Sequence, residues 1–288
     1  LPSGTMCNQI SLAVHCGAGD EIIADRSAHI INYEAGGPAV LSRSLVRTLD
    51  GDSGVFNAED VQKAIRNGSY HEPRSRLVVV EQTSNRGGGA IWPLATLQEV
   101  AAVAREQGLN LHMDGARLMN AVVASGVPAA DFAATVDSLW LDLSKGLGCP
   151  VGAVLAGTHE FIDEAWRWKH RVGGAMRQAG IIAAAGSWAL ANHVERLAED
   201  HDNARQFAQR ISAIPGVQLV NEDVQTNLVF FDVSGSRLSA QDISVRLREQ
   251  GVWIGAIDSK RMRGVTHLDV NRDDVDEAAD RLAEVING

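Results

Sequence analysis

The chain is short of positive charge. It has 26 Lys and Arg against 36 Asp and Glu, a formal net charge of −10 over 288 residues. No Lys/Arg-rich run makes a local exception, so nonspecific binding to nucleic acid is not expected. Long apolar runs are missing too: none approaches the roughly 18 uninterrupted residues of a membrane-spanning helix. Cysteine is scarce, with only Cys7, Cys16 and Cys149. Cys7 and Cys16 match no CxxC metal spacing, and a chain of this length needs no disulfide. The set points to a reducing, cytoplasmic compartment. No strand leads into GxGxxG, which speaks against a dinucleotide-binding dehydrogenase. No metal centre is expected: His112 and Asp114 sit two apart, but no third and fourth ligands follow at recognisable intervals.

What is present describes an ordinary globular chain, 45% apolar and 22% charged, long enough for one large or two modest domains. The opening LPSGTMCNQI has no starting methionine and no polar lead-in, and reads as a chain entered partway. Residues 9–15 are helix-compatible. EIIAD (21–25), AVLSR (39–43), RLVVVEQ (76–82), LNLHMDGA (109–116), VDSLWLDLSKG (136–146) and PVGAVLAG (150–157) read as strands. PLATLQEVAAVAREQG (93–108) reads as a helix, with Pro near its start and Gly at its end. RGGGAIWP (86–93) reads as a loop. Near-continuous apolar strands alternating with helices predict an α/β layout on a mainly parallel sheet. A long helical stretch is expected over 158–201; its Trp166, Trp168 and Trp188 read as core and interface packing. AIPGVQLV (213–220), TNLVFFDV (226–233) and RGVTHLDV (263–270) then read as strands. SAQDISVRLREQG (239–251) and DDVDEAADRLAEVI (273–286) read as helices. The expectation is a large domain over 1–197 and a small α+β domain over 198–288.

In a parallel α/β sheet, ligands collect outside the carboxyl ends of the strands. Asp114, in HMDGAR, either caps a helix beginning at Gly115 or is a buried carboxylate facing a protonated ring nitrogen. Arg117 either makes a surface ion pair or grips a substrate carboxylate with two N–H groups. Lys145, in DLSKGLG, is either a solvent-facing turn residue or an amine at the end of a buried strand, nucleophilic when neutral. Ser3, Gly4 and Thr5 either simply cap a helix or offer N–H groups and a hydroxyl to a phosphate. A phosphate anchor, a carboxylate for a pyridine nitrogen and an amine for an aldehyde together describe pyridoxal 5′-phosphate. His29, in SAHI, either stacks on such a ring or is an ordinary partly buried histidine.

LHMDGARLMNA (111–121), LDLSKGLGCPVGAVLAG (141–157) and GGAMRQAG (173–180) resemble the threonine aldolase and β-eliminating lyase family. So do SGTMCNQ (3–9), DRSAHIINYEAGGPAV (25–40) and VTHLDV (265–270). The resemblance runs in order over almost the whole chain. It implies a fold-type I pyridoxal phosphate enzyme, L-threonine aldolase-like. Such an enzyme cleaves L-threonine, L-allo-threonine or related β-hydroxy-α-amino acids to glycine and an aldehyde. On the matching positions, Lys145 would be the Schiff-base lysine and Asp114 the partner of the pyridine nitrogen. His29 would stack on the ring and is a candidate base. Ser3, Gly4 and Thr5 would hold the phosphate. Arg117 and Arg263 would hold the substrate carboxylate, and Arg177 would lie near the site, contributed across a dimer interface. The family implies a homotetramer built from tight dimers. The rival readings are β-elimination, racemisation or phenylserine-type cleavage with the same cofactor, or a non-catalytic family member or fragment.

Two features depart from the family. Its aldolases usually carry Thr-His-Asn where this chain reads EQTSNRGGG (81–89), so Ser84 would replace a histidine that contacts the substrate hydroxyl. Serine can donate or accept a hydrogen bond but is a poor base at neutral pH. Family members also begin earlier, with a segment that includes a carboxylate-binding serine; that segment is expected to be missing here.

Overall fold

The computed structural model describes residues 1–288, which divide into two compact units, Leu1–Val194 and Glu195–Gly288. The sheet of the first unit has six strands: β1 (Glu21–Asp25), β2 (Leu45–Leu49), β3 (Ser75–Glu81), β4 (Asn110–Gly115), β5 (Ser138–Asp142) and β6 (Ala153–Gly157). Their order is β2-β1-β3-β4-β5-β6, with β6 antiparallel to β5 and all other pairs parallel. Helix α1 (Gly4–His15) precedes β1. The crossovers hold α2 (His29–Asn32), α3 (Ala58–Ala64), α4 (Leu94–Glu106), α5 (Leu118–Ser125) and α6 (Ala129–Ala133). Helices α7 (His159–Arg171) and α8 (Gly180–Asn192) follow the sheet.

Successive strand residues face opposite sides, and here both sides are covered. Ile23, Val78 and Val80 pack with Val61, Leu97 and Val100 of α3 and α4. Ile22, Leu77 and Val79 pack with Leu12 of α1 and with Ile30. Fully burying each such side chain contributes about 1.5–3 kcal/mol. Double coverage is why β1 and β3 carry unbroken apolar runs, over 22–24 and 77–80.

Three expectations fail. AVLSR is not a strand; Pro38–Ser42 form a π-helical turn. Gly36 (φ +74°) breaks the chain ahead of it, Pro38 suits a first helical position, and the Ser42 hydroxyl donates to the Pro38 carbonyl. The strand lies later, at β2, a partly exposed sheet edge with a weak apolar signal. The helical stretch over 158–201 is three helices, α7, α8 and α9 (Leu197–Ile211), with a break at Gly173 (φ +76°) and another over 193–196. Trp166 and Trp188 are exposed, which removes the core reading for both.

The second unit runs α9, β7 (Gln218–Leu219), β8 (Leu228–Asp232), α10 (Ala240–Glu249), β9 (Gly255–Ala256), β10 (Arg261–Val265) and α11 (Arg272–Asn287). Its sheet is antiparallel in the order β7-β8-β10-β9. Phe207, Ile211, Phe231, Leu247, Met262 and Leu282 are among its core residues. Only two residues of AIPGVQLV form strand.

Candidate active site

Asp114 lies near the carboxyl end of β4, opposite Trp140 on the neighbouring β5. It does not cap a helix beginning at Gly115, because α5 starts at Leu118 with Arg117 before it. Asp114 is buried. Its Oδ1 accepts from the Ala116 N–H at 3.1 Å and its Oδ2 from the Asn8 amide at 2.8 Å. Burial pushes its carboxyl above the usual range, opposed by the Asn8 hydrogen bond and by the charge of Lys145.

Strand β5 ends at Asp142, and Lys145 follows in the next turn. The Lys145 side chain is neither a free surface residue nor a buried one. It is 39% exposed, its Nζ lies 2.6 Å from Asp142 Oδ2, and it stands 5.4 Å from the centre of the Trp140 ring.

The start of α1 approaches the same indole. A Cβ on Gly4 would fall 2.1 Å from Trp140 Cη2, so only glycine lets the helix sit there. Ser3 is the N-cap; its hydroxyl accepts from the Met6 N–H at 3.2 Å. Ser3 and Thr5 are exposed. The first N–H groups of a helix have no intrahelical acceptor and carry the positive end of its dipole, a ready anion site.

Three residues of the site were not picked out from the sequence. Glu34, buried, accepts from Asn8 Nδ2 at 2.7 Å, from Gln9 Nε2 at 2.5 Å and from His29 Nδ1 at 2.8 Å. Glu81 accepts from the backbone N–H groups of His29 (2.8 Å) and Asn85 (2.7 Å). Burial, with Asp114 nearby, pushes Glu81 up to about 7. The hydrogen bond to Glu34 raises His29 above the ordinary imidazole value. Ligating atoms of His29, Glu34 and Asp114 all lie within 4.8 Å of one another, a cluster that sequence spacing does not show. The third residue is Asn8. A signal was available: Asn8, Gln9 and Ser11 are polar residues consecutive or nearly so on a helix that turns out to be buried over that stretch.

Arg117 is buried, and its backbone N–H donates to the Gln82 carbonyl at 2.9 Å, beside Asp114. Ser84 is buried in the loop after β3, where its hydroxyl accepts from the Gly87 N–H at 3.2 Å. Cβ atoms on Gly54 and Gly87 would lie 2.2 and 2.6 Å from that hydroxyl. The serine is enclosed by its own loop and by Gly54. Arg177 is exposed in the turn entering α8. Arg263 lies on β10 of the second unit, opposite Phe230.

The groups brought together are thus α1's first turn, His29, Asp114, Arg117 and Lys145. This donor set fits pyridoxal phosphate: N–H groups and a hydroxyl suit a phosphate, a fixed buried carboxylate suits a protonated pyridine nitrogen, and a primary amine suits an aldehyde.

Comparison with known proteins agrees. The β-eliminating lyase family matches over residues 1–234. The chain is 40% identical to the low specificity L-threonine aldolase of Escherichia coli K12 over 280 residues, covering 97% of this chain and 81% of that one. It is 37% identical to low-specificity L-threonine aldolase 1 of Arabidopsis thaliana over 280 residues, covering 96% and 78%. The solved structure of Leishmania major threonine aldolase superposes with a TM-score of 0.84 at 20% identity, covering 99% and 83%, a likeness of fold.

Proposed function

The chain belongs to the β-eliminating lyase family, and from that premise we propose that it is a pyridoxal 5′-phosphate-dependent aldolase of fold type I. It cleaves the Cα–Cβ bond of L-threonine, L-allo-threonine or a related β-hydroxy-α-amino acid, giving glycine and an aldehyde. Besides kinship, one observation supports this most: Asp114, near the end of β4, pairs across the sheet with Trp140, and Lys145 Nζ lies 5.4 Å from the centre of that indole ring.

When bound, the cofactor supplies a pyridinium ring that draws off the electron pair left on Cα as the Cα–Cβ bond breaks. Lys145 holds it through the ε-amine. Asp114, as an anion, keeps the ring nitrogen protonated. The first turn of α1, with Gly4 and Thr5, binds the phosphate. Arg117 grips the substrate carboxylate in a two-pronged contact.

His29 is the base. Its Nδ1–H is directed at Glu34, so in the neutral ring Nε2 keeps the lone pair. Nε2 takes the β-hydroxyl proton, and the O–H electron pair becomes the second bond of the new carbonyl as Cα–Cβ breaks. The raised value of His29 makes it a stronger base once neutral, though less of it is neutral at a given pH. Ser84 is not the base, because a serine hydroxyl is a poor one at neutral pH.

The assembly is a homotetramer. Helix α8 supports this: it carries no charged residue, and Ile181 and Trp188 are 83% and 58% exposed on it. Arg177, at its entry, would serve a neighbouring subunit's site. Three free, buried cysteines suit a reducing compartment, and the cytoplasm is our assignment. The test is product analysis with L-threonine and L-allo-threonine. Glycine and acetaldehyde in equal amounts are expected; a 2-oxo acid with ammonia would replace aldol cleavage by β-elimination.

A further inference from the structure

Behind Asp114 runs a buried hydrogen-bonded chain whose proton positions follow from one atom. The indole Nε1 of Trp140 can only donate. It lies 2.7 Å from Asn8 Oδ1, so that atom is the amide oxygen, and Nδ2 faces the carboxylates. Both Nδ2 protons are then used, one on Glu34 at 2.7 Å and one on Asp114 at 2.8 Å. His112 Nε2, 3.3 Å from the same Asn8 oxygen, must donate to it. Burial drives His112 down to about 3, so its ring is neutral, and Nδ1 must accept. The group it accepts from is the Ser138 hydroxyl at 2.8 Å. With that proton committed, His15 Nε2 donates to Ser138 Oγ at 2.7 Å.

We propose that Asn8 is a positioning residue for the cofactor: it ends this one-way chain and fixes Asp114 and Glu34 as a pair of hydrogen-bonded carboxylates. Glu34 Oε1 accepts from both Asn8 Nδ2 and His29 Nδ1. One amide thereby ties the partner of the ring nitrogen to the base. Its place in catalysis rests on the proposed function; the proton order does not.

The groups acting on Asp114 are Glu34 and His29 from the α2 region, Glu81 on β3, Lys145 after β5 and Asn8 on α1. Glu34 and burial favour the neutral acid, while Asn8, Lys145 and His29 favour the anion. Without Asn8 the two carboxylates face each other with no donor between them, and Asp114 takes up a proton more readily. The ring nitrogen then loses its counter-ion.

The test uses Asn8→Leu, with Asn8→Ser as the milder variant, each checked for wild-type circular dichroism. The dissociation constant of pyridoxal phosphate is measured between pH 6 and pH 8. Wild type gives the reference affinity at each pH. Asn8→Leu should bind about ten- to a hundredfold more weakly at pH 6, the size of one hydrogen bond to a charged group, with the deficit against wild type shrinking as rising pH favours the Asp114 anion. Asn8→Ser should shift the same way by less. A folded variant with wild-type affinity at every pH overturns the proposal. The cofactor-free protein gives a second readout: nitrogen chemical shifts of His112 should show the proton on Nε2. A proton on Nδ1 overturns the proposed order whether or not the cofactor binds. Failure of wild type to bind cofactor would instead sink the proposed function.

Discussion

Nζ of Lys145 lies 2.6 Å from Oδ2 of Asp142, whose other oxygen accepts from the N–H (2.7 Å) and hydroxyl (2.8 Å) of Ser144. The carboxylate is buried and held from one side by Ser144 and from the other by the amine, so it fixes where Lys145 waits. Asp142→Ala should let the amine wander and slow its capture of pyridoxal phosphate by roughly ten- to a hundredfold, the penalty of a misplaced reactant. Stopped-flow absorbance after mixing cofactor-free protein with cofactor reads this directly. An unchanged rate would remove Asp142 from the account.

Gly4 tests the meeting of α1 and Trp140. Gly4→Ala would drive a methyl group to within 2.1 Å of the indole. Relieving such an overlap costs about 1–3 kcal/mol, which urea unfolding resolves, and it shifts the phosphate-binding turn. Wild-type stability together with wild-type cofactor affinity would contradict the packing described.

Stability should also depend on pH in a defined way. Burial holds His112 at about 3 and His15 at about 4, against an ordinary 6.5. Below pH 6.5 the unfolded chain therefore takes up protons that the folded chain refuses. Stability then falls with decreasing pH, at up to about 1.4 kcal/mol per pH unit for each histidine, until the folded values are reached. Glu81 has the opposite sign. Raised to about 7 from 4.5, it is protonated first in the folded chain, so it adds stability as pH falls between those values. Between about pH 6.5 and 4.5 two histidines outweigh one carboxyl, so a net loss begins there and steepens below pH 4.5, where the carboxyl no longer opposes it. His112→Gln should flatten that acid limb in urea titrations at pH 4 and pH 7; an acid limb as steep as wild type would contradict burial as its cause.

Much of this was legible in the sequence because it rests on local signals. RLVVVEQ and LNLHMDGA are covered on both faces, so their strands announce themselves. The lysine and Asp114 motifs stand at strand ends, where the fold gathers ligands. The illegible parts depend on distant partners. AVLSR has a strand's composition, but Gly36 and Pro38 turn it into a helical turn, while β2 at the sheet edge lacks an apolar run. Asn8, Glu34 and Glu81 matter because residues far apart converge on them. Ser84 occupies a motif position, yet Gly54, far from it in sequence, helps enclose it.

The apolar face of α8 makes a prediction about assembly. Trp188→Glu places a charge on an exposed apolar helix face, so it should leave the fold intact and lower the mass seen by light scattering. A wild-type chain that is already monomeric would contradict the tetramer.

The most direct measurement is chemical. The chain has only four lysines, Lys63, Lys145, Lys169 and Lys260. Borohydride reduction in the presence of pyridoxal phosphate, followed by peptide mass spectrometry, should place one pyridoxyl group on Lys145, with no specific label in Lys145→Ala. A stoichiometric label on any of the other three, or none on Lys145 in protein that is folded and saturated with cofactor, would contradict the assignment.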